Sequence, residues 1–216
     1  MAKLIALTFD DGPNLTTTAR TIEKLEKYGI TASFFLIGEL ISDETAPMVK
    51  KEFDNGYEIG NHSLTHSFMT KLDAETIREE IRITTEKIEK ITGKKPEFFR
   101  PPYIDVNSTM VENIDLPFIC GHGGRDWEPE VSSEERASLI LDSVKDGSLV
   151  LLHDLEGNEK TVDALDILIP ELKNRGFEFV TVSEIFKRKG IEAKAHNGVV
   201  YSDVDQTLRF DDPLPE

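Results

Sequence analysis

The feature that most constrains the fold of this chain is the regular order in which apolar and amphipathic segments follow one another. Residues 4–9 form an apolar, partly β-branched run that stops at an Asp-Asp-Gly-Pro turn. Residues 17–27 then carry apolar side chains at helical spacing and end at a glycine. Because this strand-then-helix order recurs along the chain, the sequence predicts an α/β fold whose parallel strands are covered by helices.

Periodicity and turn residues set the expected boundaries of these elements. The predicted strands are residues 4–9, 31–37, 57–59, 98–99, 116–119, 149–152 and 177–182. The predicted helices are residues 17–27, 46–53, 73–91, 133–144, 161–174 and 183–189, with Asp73 as the N-cap of the longest one.

The number of units narrows the architecture to two possibilities. About seven units are present, against the eight of a standard α/β barrel, so the fold is either an incomplete barrel or an open doubly wound sheet. We expect an irregular, incomplete (β/α) barrel over residues 1–189 as one domain. Residues 190–216 break the pattern and are predicted to form a surface tail or linker.

Charge and cysteine content exclude several classes of partner and site. The chain has 41 acidic and 25 basic residues, a formal net charge of -16 that disfavours nucleic acid and anionic lipid surfaces. The single cysteine, Cys120, excludes an intrachain disulfide and a metal site with several thiolates. No apolar stretch approaches the ~20 residues that span a bilayer, and from residues 1–9 we expect no signal peptide before the first strand. We therefore expect either a cytosolic protein or a trimmed piece of a longer one.

Two adjacent carboxylates follow the first predicted strand. In parallel α/β folds the loops after the carboxyl ends of strands build the site, and Asp10 and Asp11 stand at such an end. Taken alone, they fit an ordinary Asp-Gly-Pro turn equally well. Two carboxylates side by side at a strand end are costly unless a cation neutralises them, which predicts a metal ion or an arginine nearby.

Two histidines follow the third predicted strand. His62 and His66 are spaced i and i+4, which on a helical turn would point both imidazoles toward one metal ion. Surface histidines also occur at this spacing by accident. Together with a carboxylate, however, the pair would form a two-histidine, one-carboxylate set that leaves coordination positions free for water and substrate.

Three further groups stand at strand ends. Arg100 precedes two prolines, so the backbone NH of Tyr103 is the next amide that could bind an oxyanion, although a rigid surface loop is the simpler interpretation. Trp127, beside Asp126, is either a core aromatic or an exposed ring that stacks on a sugar. His153 follows an apolar strand, where a lone histidine is more often structural than catalytic.

Jointly these groups supply a metal set, a base, a cation, an oxyanion donor and an acid. From about residue 3 to residue 188 the sequence resembles the metal-dependent polysaccharide deacetylases, carbohydrate esterase family 4. The motifs that carry this resemblance are Thr8-Phe9-Asp10-Asp11-Gly12-Pro13, His62-Ser63-Leu64-Thr65-His66, Arg100-Pro101-Pro102-Tyr103, Asp126-Trp127 and Leu151-Leu152-His153-Asp154.

The resemblance implies a metal centre and a base. Asp11, His62 and His66 would hold one divalent ion, while Asp10 would act as the general base on the attacking water and pair with Arg100. Zinc is the family's usual metal, but cobalt, iron, nickel or manganese also suit such an open site.

It also implies an acid and a substrate pocket. His153 would be the general acid, oriented by Asp126, and the backbone NH of Tyr103 would polarise the acetyl carbonyl. Trp127 and Leu151 would line the pocket for the acetyl methyl group, with Tyr103 also in contact with substrate.

The expected substrate is an acetylated polysaccharide or oligosaccharide. Residues 115–127 and 164–181 are most similar to the acetylxylan esterase branch, which favours O-acetylated xylan; an N-deacetylase of N-acetylglucosamine polymers is the alternative. Many members have a further aspartate where this chain has Gly123, so a supporting contact is expected to be missing. A noncatalytic carbohydrate-binding relative is less favoured, because the base, the acid and the metal ligands are all present.

The resemblance has implications for context as well. It implies an extracellular or cell-surface protein, and a module of a larger glycan-degrading protein is one possibility. Residues 203–207 match the Asp-x-Asp-x-Thr pattern of a phosphatase family, but only nine residues follow them, too few for the α/β domain that this motif requires.

Overall fold

A computed structural model describes residues 2–212 of the chain; Met1 and residues 213–216, the ends of the predicted domain and tail, lie outside the described residues. The strands are β1 Lys3–Gly12, β2 Ser33–Leu36, β3 Glu58–Asn61, β4 Phe118–Ile119, β5 His122–Gly123, β6 Ser148–His153, β7 Phe177–Phe179 and β8 Val200–Tyr201. The α-helices are α1 Thr17–Tyr28, α2 Ala46–Asp54, α3 Ala74–Thr92, α4 Ser108–Asn113, α5 Ser133–Ser143, α6 Glu159–Asn174 and α7 Val182–Lys189.

The long, almost completely buried strand β1 is the centre of a six-stranded parallel sheet. The strand order is β3-β2-β1-β6-β5, and β7 pairs with the first residues of β1. All of these pairings are parallel, so the carboxyl ends of β1, β2, β3 and β6 lie at one edge. The predicted α/β class with a parallel sheet is confirmed.

Beyond β3 the strand pairing is irregular. Phe99 makes single parallel bridges to Asn61 at the end of β3 and to Phe118 in β4, so the predicted strand at residues 98–99 is reduced to isolated bridges. Strand β4 is separated from β5 by only two residues, and β5 returns to β6. Two sheets joined by single bridges make an irregular, incomplete barrel.

Local sequence signals explain the helices that cover this sheet. Helix α3 begins after Asp73, whose side chain accepts the Thr76 amide proton, and ends at Gly93 in the left-handed conformation that glycine tolerates best. Its buried face includes Ile77 and Ile88. The sequence pattern missed the short helix α4, which is capped by the Asn107 side chain.

The segment predicted as a surface tail packs against the sheet over its described part. Strand β8 pairs with β4, and Val199, Tyr201 and Val204 are buried in a cluster with residues of β1 and β6. The Asp203 carboxylate accepts a hydrogen bond from the Ser148 hydroxyl at 2.6 Å. Among residues 2–212, no helix is both long and apolar enough to cross a membrane.

Candidate active site

Polar side chains from adjacent strand ends meet at the carboxyl edge of the sheet. Asp10 of β1 lies in register with His153 of β6, and β2 and β3 end on the other side of β1. Asp10 is 2% exposed. The parallel arrangement therefore brings together residues that are 143 positions apart in the sequence, as predicted from the positions of the strand ends.

Asp11 faces both histidines of the second motif. Its Oδ1 atom lies 3.4 Å from Nε2 of His62 and 3.4 Å from Nε2 of His66. This buried oxygen has no hydrogen-bond partner among the described residues. The backbone of Asp11 has φ 72°, in the left-handed region, so the strand end turns to direct the carboxylate at the histidines.

The prediction that the two histidines share a helical turn is wrong. They lie in an irregular loop in which Ser63 and His66 both have positive φ. The Glu80 carboxylate of α3 holds this loop by accepting the backbone amides of Leu64 and Thr65 at 2.8 and 2.9 Å. A buried acceptor from another element thus brings the imidazoles together.

The imidazole protonation states fit a cation at this position. Nδ1 of His62 donates to the carbonyl oxygen of Arg100 at 2.7 Å, because a carbonyl can only accept, and this leaves Nε2 directed at Asp11. Burial and the neighbouring His62 lower the pKa of His66, so its ring is neutral at pH 7 and offers a lone pair. The three ligand atoms lie within 4.8 Å of one another. Nitrogen lone pairs facing an unpartnered carboxylate oxygen are a suitable donor set for one divalent metal.

The electrostatics keep the Asp11 carboxylate ionised. Burial raises its pKa, but the close approach of the His62 imidazole, with the His153 and His66 rings nearby, lowers the pKa of Asp11 to about 2. Asp11 therefore carries a negative charge at any pH near neutrality, as a metal ligand must.

Asp10 is paired with a fully buried arginine. Nη1 of Arg100 lies 2.6 Å from Oδ1 of Asp10, and Nη2 donates to the carbonyl of Cys120. The guanidinium also lies 4.4 Å above the Phe35 ring of β2. These contacts fix the cation against one oxygen of Asp10, while the other, Oδ2, is 3.7 Å from Nε2 of His62.

His153 and Asp126 form a second pair. Asp126, which is 1% exposed, accepts the Nδ1 proton of His153 at 2.8 Å and the His153 backbone amide at 2.7 Å. Burial lowers the pKa of His153, but the hydrogen bond and charge of Asp126, with the charges of Asp10 and Asp11, raise it to about 9. The ring is therefore protonated at neutral pH.

A cleft of about 440 Å³ is lined by one member of each pair, Asp10 and His153. Trp127 is 52% exposed at its rim, with its ring 5.9 Å from that of His153 in an edge-on arrangement, so the sequence alternative of a core tryptophan does not hold. Tyr103, 56% exposed, lies on the His66 side. The residues that line the cleft are Asp10, Asp11, His62, His66, Pro101, Tyr103, Ile104, Trp127, Leu151, His153 and Leu155.

Several supporting residues escaped the sequence reasoning. Thr161 of α6 donates to Asp126 at 3.0 Å and accepts from the buried Arg136 at 2.9 Å. Glu80 holds the histidine loop, as described above. A polar residue spaced among the apolar positions of an amphipathic helix was the only available signal, and it does not identify a contact across the fold.

The loop after Asp11 is held by a third group of residues that the sequence reasoning missed. Asn14 donates its side-chain amide to the Asp154 carbonyl at 2.7 Å, and the Thr18 hydroxyl donates to the Asp154 carboxylate. That carboxylate lies 2.8 Å from where a Cβ on Gly12 would be, so only glycine fits there without displacement. The glycine of the Asp-Gly-Pro turn therefore also leaves the space that the Asp154 carboxylate occupies beside the site.

Gly123, where the resemblance implied a missing supporting contact, lies in β5 beside Leu151. A Cβ at this position would be 3.4 Å from the Trp127 ring. The missing carboxylate leaves Asp126 with the three donors already named, the His153 ring, the His153 amide and the Thr161 hydroxyl.

Comparisons with known proteins identify the family to which the chain belongs. The family model for polysaccharide deacetylase matches residues 1–116. A bifunctional xylanase/deacetylase of Pseudobutyrivibrio xylanivorans is 50% identical over 189 residues, which are 88% of this chain and 31% of that protein. The chain therefore spans about a third of the length of that relative.

Two further similarities cover most of both partners. A peptidoglycan-N-acetylglucosamine deacetylase of Bacillus cereus is 35% identical over 87% of this chain and 90% of its own length. The structure of a family 4 acetyl xylan esterase from Clostridium thermocellum, in complex with a cobalt ion, is 41% identical, with a TM-score of 0.92 over 94% of this chain and 100% of that one. From its motifs, its fold and these similarities, the chain belongs to the polysaccharide deacetylase family.

Proposed function

We propose that this chain is a metal-dependent deacetylase that hydrolyses O-acetyl esters on acetylated xylan. The observation that carries the proposal is the convergence of one cation-binding set, the Asp10–Arg100 pair and the His153–Asp126 pair on a single cleft. The names of the Pseudobutyrivibrio and Clostridium proteins support xylan as the glycan.

Asp11, His62 and His66 would hold the metal. A divalent cation held by these residues would supply Lewis acidity toward the acetyl carbonyl and the attacking water. The structure of the acetyl xylan esterase from Clostridium thermocellum contains a cobalt ion, so at least one member of the family binds such an ion. We propose zinc as the native ion, with cobalt, iron, nickel and manganese as the alternatives to be tested.

Asp10 would act as the general base. Arg100 binds one carboxylate oxygen, so the second oxygen is free to take the proton of the attacking water. The water oxygen then bonds to the acetyl carbon. Burial of Arg100 restricts Asp10 to one orientation, which lowers the entropic cost of the proton transfer.

His153 would act as the general acid. Asp126 holds Nδ1, so Nε2 carries the proton that can be transferred. When the bond between the acetyl carbon and the sugar oxygen breaks, that oxygen takes this proton and leaves as a hydroxyl group. The raised pKa of His153 keeps the ring charged before the reaction.

The remaining cleft residues would recognise the acetyl group. The backbone NH of Tyr103 would donate to the carbonyl oxygen as negative charge develops there. Leu151 and Trp127 present apolar surface for the methyl group, and the exposed face of Trp127 suits a sugar ring.

The proposal includes the kind of protein that contains this domain and the place where it acts. The matched region is 31% of a relative named as a bifunctional xylanase/deacetylase, which supports a module within a larger glycan-degrading protein. Polymeric xylan lies outside cells, so we place the reaction in the extracellular space or at the cell surface, as the resemblance to the family implied.

The decisive experiment compares acetate release from acetylated xylan and from chitooligosaccharides side by side. The protein is assayed untreated, after chelation, and after addition of each candidate divalent metal. Release from xylan that is abolished by chelation and restored by metal supports the proposal. Preferential release from chitooligosaccharides would replace it with N-deacetylation, and no release from either substrate would favour a noncatalytic carbohydrate-binding protein.

A further inference from the structure

A column of stacked side chains runs from the protein surface to the proposed metal ligands. The rings of Phe68 and Tyr103 are nearly parallel, 13° apart, with centroids 4.0 Å from each other. Nζ of Lys71 lies 4.5 Å from the Phe68 centroid, and the His66 ring lies 4.7 Å from that of Tyr103. Phe68 belongs to none of the motifs of the site, and it is 43% exposed.

The Phe68 ring is in contact with two other side chains. The Tyr103 ring stacks on it with the centroids 4.0 Å apart, and the Lys71 ammonium lies over it at 4.5 Å from the centroid. These contacts within the protein point to a role for Phe68 in holding Tyr103.

The backbone of Tyr103 is where such a role is needed. Tyr103 has φ 58° and ψ 8°, and Ile104 follows with φ 53°, so two consecutive non-glycine residues adopt the left-handed conformation. Residues with side chains adopt this conformation only when surrounding contacts impose it. The backbone bonds of this turn, Ile104 to the Pro101 carbonyl and Asp105 to the Pro102 carbonyl, leave the Tyr103 side chain to be held by its neighbours.

The segments that carry the two rings are also tied together by hydrogen bonds. The Thr70 hydroxyl donates to the Asp105 carboxylate at 2.5 Å, and the Asn107 side-chain amide donates to the Thr70 carbonyl at 3.1 Å. Met69, 1% exposed, anchors the turn that follows Phe68. Phe68 is thus presented to Tyr103 from a rigid support.

We propose that Phe68 is a positioning residue for the reaction: it fixes the Tyr103 side chain and so holds the left-handed backbone that aims the Tyr103 amide at the acetyl carbonyl. This inference rests on the proposed function, because the amide has a role only where an oxyanion develops. It adds a residue outside the motifs to the machinery of the site.

The test uses Phe68→Ala, with Phe68→Tyr as the conservative variant and Leu208→Ala, another exposed apolar side chain at 37% exposure, as the control. For Phe68→Ala we expect kcat on acetylated xylan to fall about tenfold, less than the 10²–10³ for complete loss of an oxyanion donor. The KM should stay within about twofold, because no contact to the ground-state substrate is removed. Phe68→Tyr should restore kcat.

A second readout makes the inference independent of turnover. In ¹⁵N-resolved spectra, the Tyr103 and Ile104 amide signals of Phe68→Ala should broaden through exchange between backbone conformations, relative to those of the unchanged protein and of Leu208→Ala, whereas loss of the aromatic ring current alone would only shift them. Signals as sharp as those of the unchanged protein would overturn the inference even if the protein hydrolysed no substrate. An increase in KM at constant kcat would also overturn it, because it would make Phe68 a sugar contact, whereas an inactive unsubstituted protein would contradict only the proposed function.

Discussion

The backbone carbonyl of Arg100 accepts the Nδ1 proton of His62 across 2.7 Å, while the Arg100 guanidinium lies 2.6 Å from Asp10. One residue therefore orients a proposed metal ligand through its backbone and the proposed base through its side chain. The two prolines that follow Arg100 stiffen the chain at this point. A displacement of Arg100 would therefore disturb both a proposed metal ligand and the proposed base.

Replacing Arg100 should damage both activity and folding. Arg100→Met leaves the 2%-exposed Asp10 without its cation, so we expect kcat to fall at least about a hundredfold. The free energy of unfolding should fall by about 3–5 kcal/mol, the usual result of leaving one buried charge uncompensated. Kinetics and urea unfolding measure the two effects, and Arg209→Met, at an exposed ion pair, is the control. Normal turnover in Arg100→Met would contradict the role assigned to Arg100 in holding Asp10.

Metal binding and proton transfer should be separable by substitution. Asp10→Asn removes the base but no proposed ligand, so it should retain metal while kcat falls about 10²–10⁴-fold. His66→Ala removes a ligand and should lose metal during dialysis. Metal content by elemental analysis, read beside acetate release, distinguishes the two. Retention of stoichiometric metal by His66→Ala would contradict the assigned ligand set.

The alkaline limb of the pH profile should report His153. Its pKa is raised to about 9, so the acid form persists through neutral pH, and kcat/KM should decline only as the pH approaches that value. Asp126→Asn removes the main raising interaction and leaves burial, which lowers the pKa, so the limb should move to lower pH. Asp115→Asn, at an exposed carboxylate, should not move it. If the alkaline limb is unchanged in Asp126→Asn, it does not report the ionisation of His153.

The raised pKa of His153 also predicts how the free energy of unfolding changes with pH. Because the pKa of His153 is higher in the folded than in the unfolded chain, its pairing with Asp126 stabilises the fold fully below about pH 6.5, and this stabilisation is lost as the pH rises through about 9. Urea unfolding of the unsubstituted protein and of Asp126→Asn at pH 6 and pH 10 measures it. The difference between the two proteins should be smaller at pH 10.

A methyl group added at Gly60 should disturb the floor of the site. A Cβ there would lie 2.5 Å from the Phe35 ring, which supports the Arg100 guanidinium. Gly60→Ala should therefore cost about 1–3 kcal/mol of unfolding free energy, as expected for overpacking. Gly123→Ala, whose Cβ would have an ordinary 3.4 Å contact, is the matched control and should be nearly neutral. Equal stability of the two variants would mean that Phe35 moves freely.

Removing the chain after residue 189 should destabilise the domain. Val199, Tyr201 and Val204 are at most 7% exposed, and their loss would expose apolar surface of β1 and β6. At about 1.5–3 kcal/mol for each buried apolar side chain, the free energy of unfolding should fall by several kcal/mol. A truncated protein as stable as the full chain would show that these residues are only a linker.

The strand-then-helix pattern was sufficient to predict the α/β class and the edge at which the polar residues meet. Its boundaries are close for α1, predicted at residues 17–27 and observed at Thr17–Tyr28. It was least informative for residues 98–99 and for β8, where pairing is too short for a periodicity to develop. Short pairings depend on the neighbour that is present, which the local sequence does not contain.

By itself the sequence determined which chemical groups the site has, because parallel strands bring their carboxyl ends to one edge and Asp10, Asp11, His62, Arg100 and His153 follow such ends. Only the tertiary structure decided how these groups act on one another. Glu80 shapes the histidine loop across 16 positions and Arg100 reaches Asp10 across 90, neither at a spacing that any local period imposes. The physical reason is that backbone propensity and periodicity act over a few residues, whereas the geometry of a buried polar site depends on the packing of the whole domain.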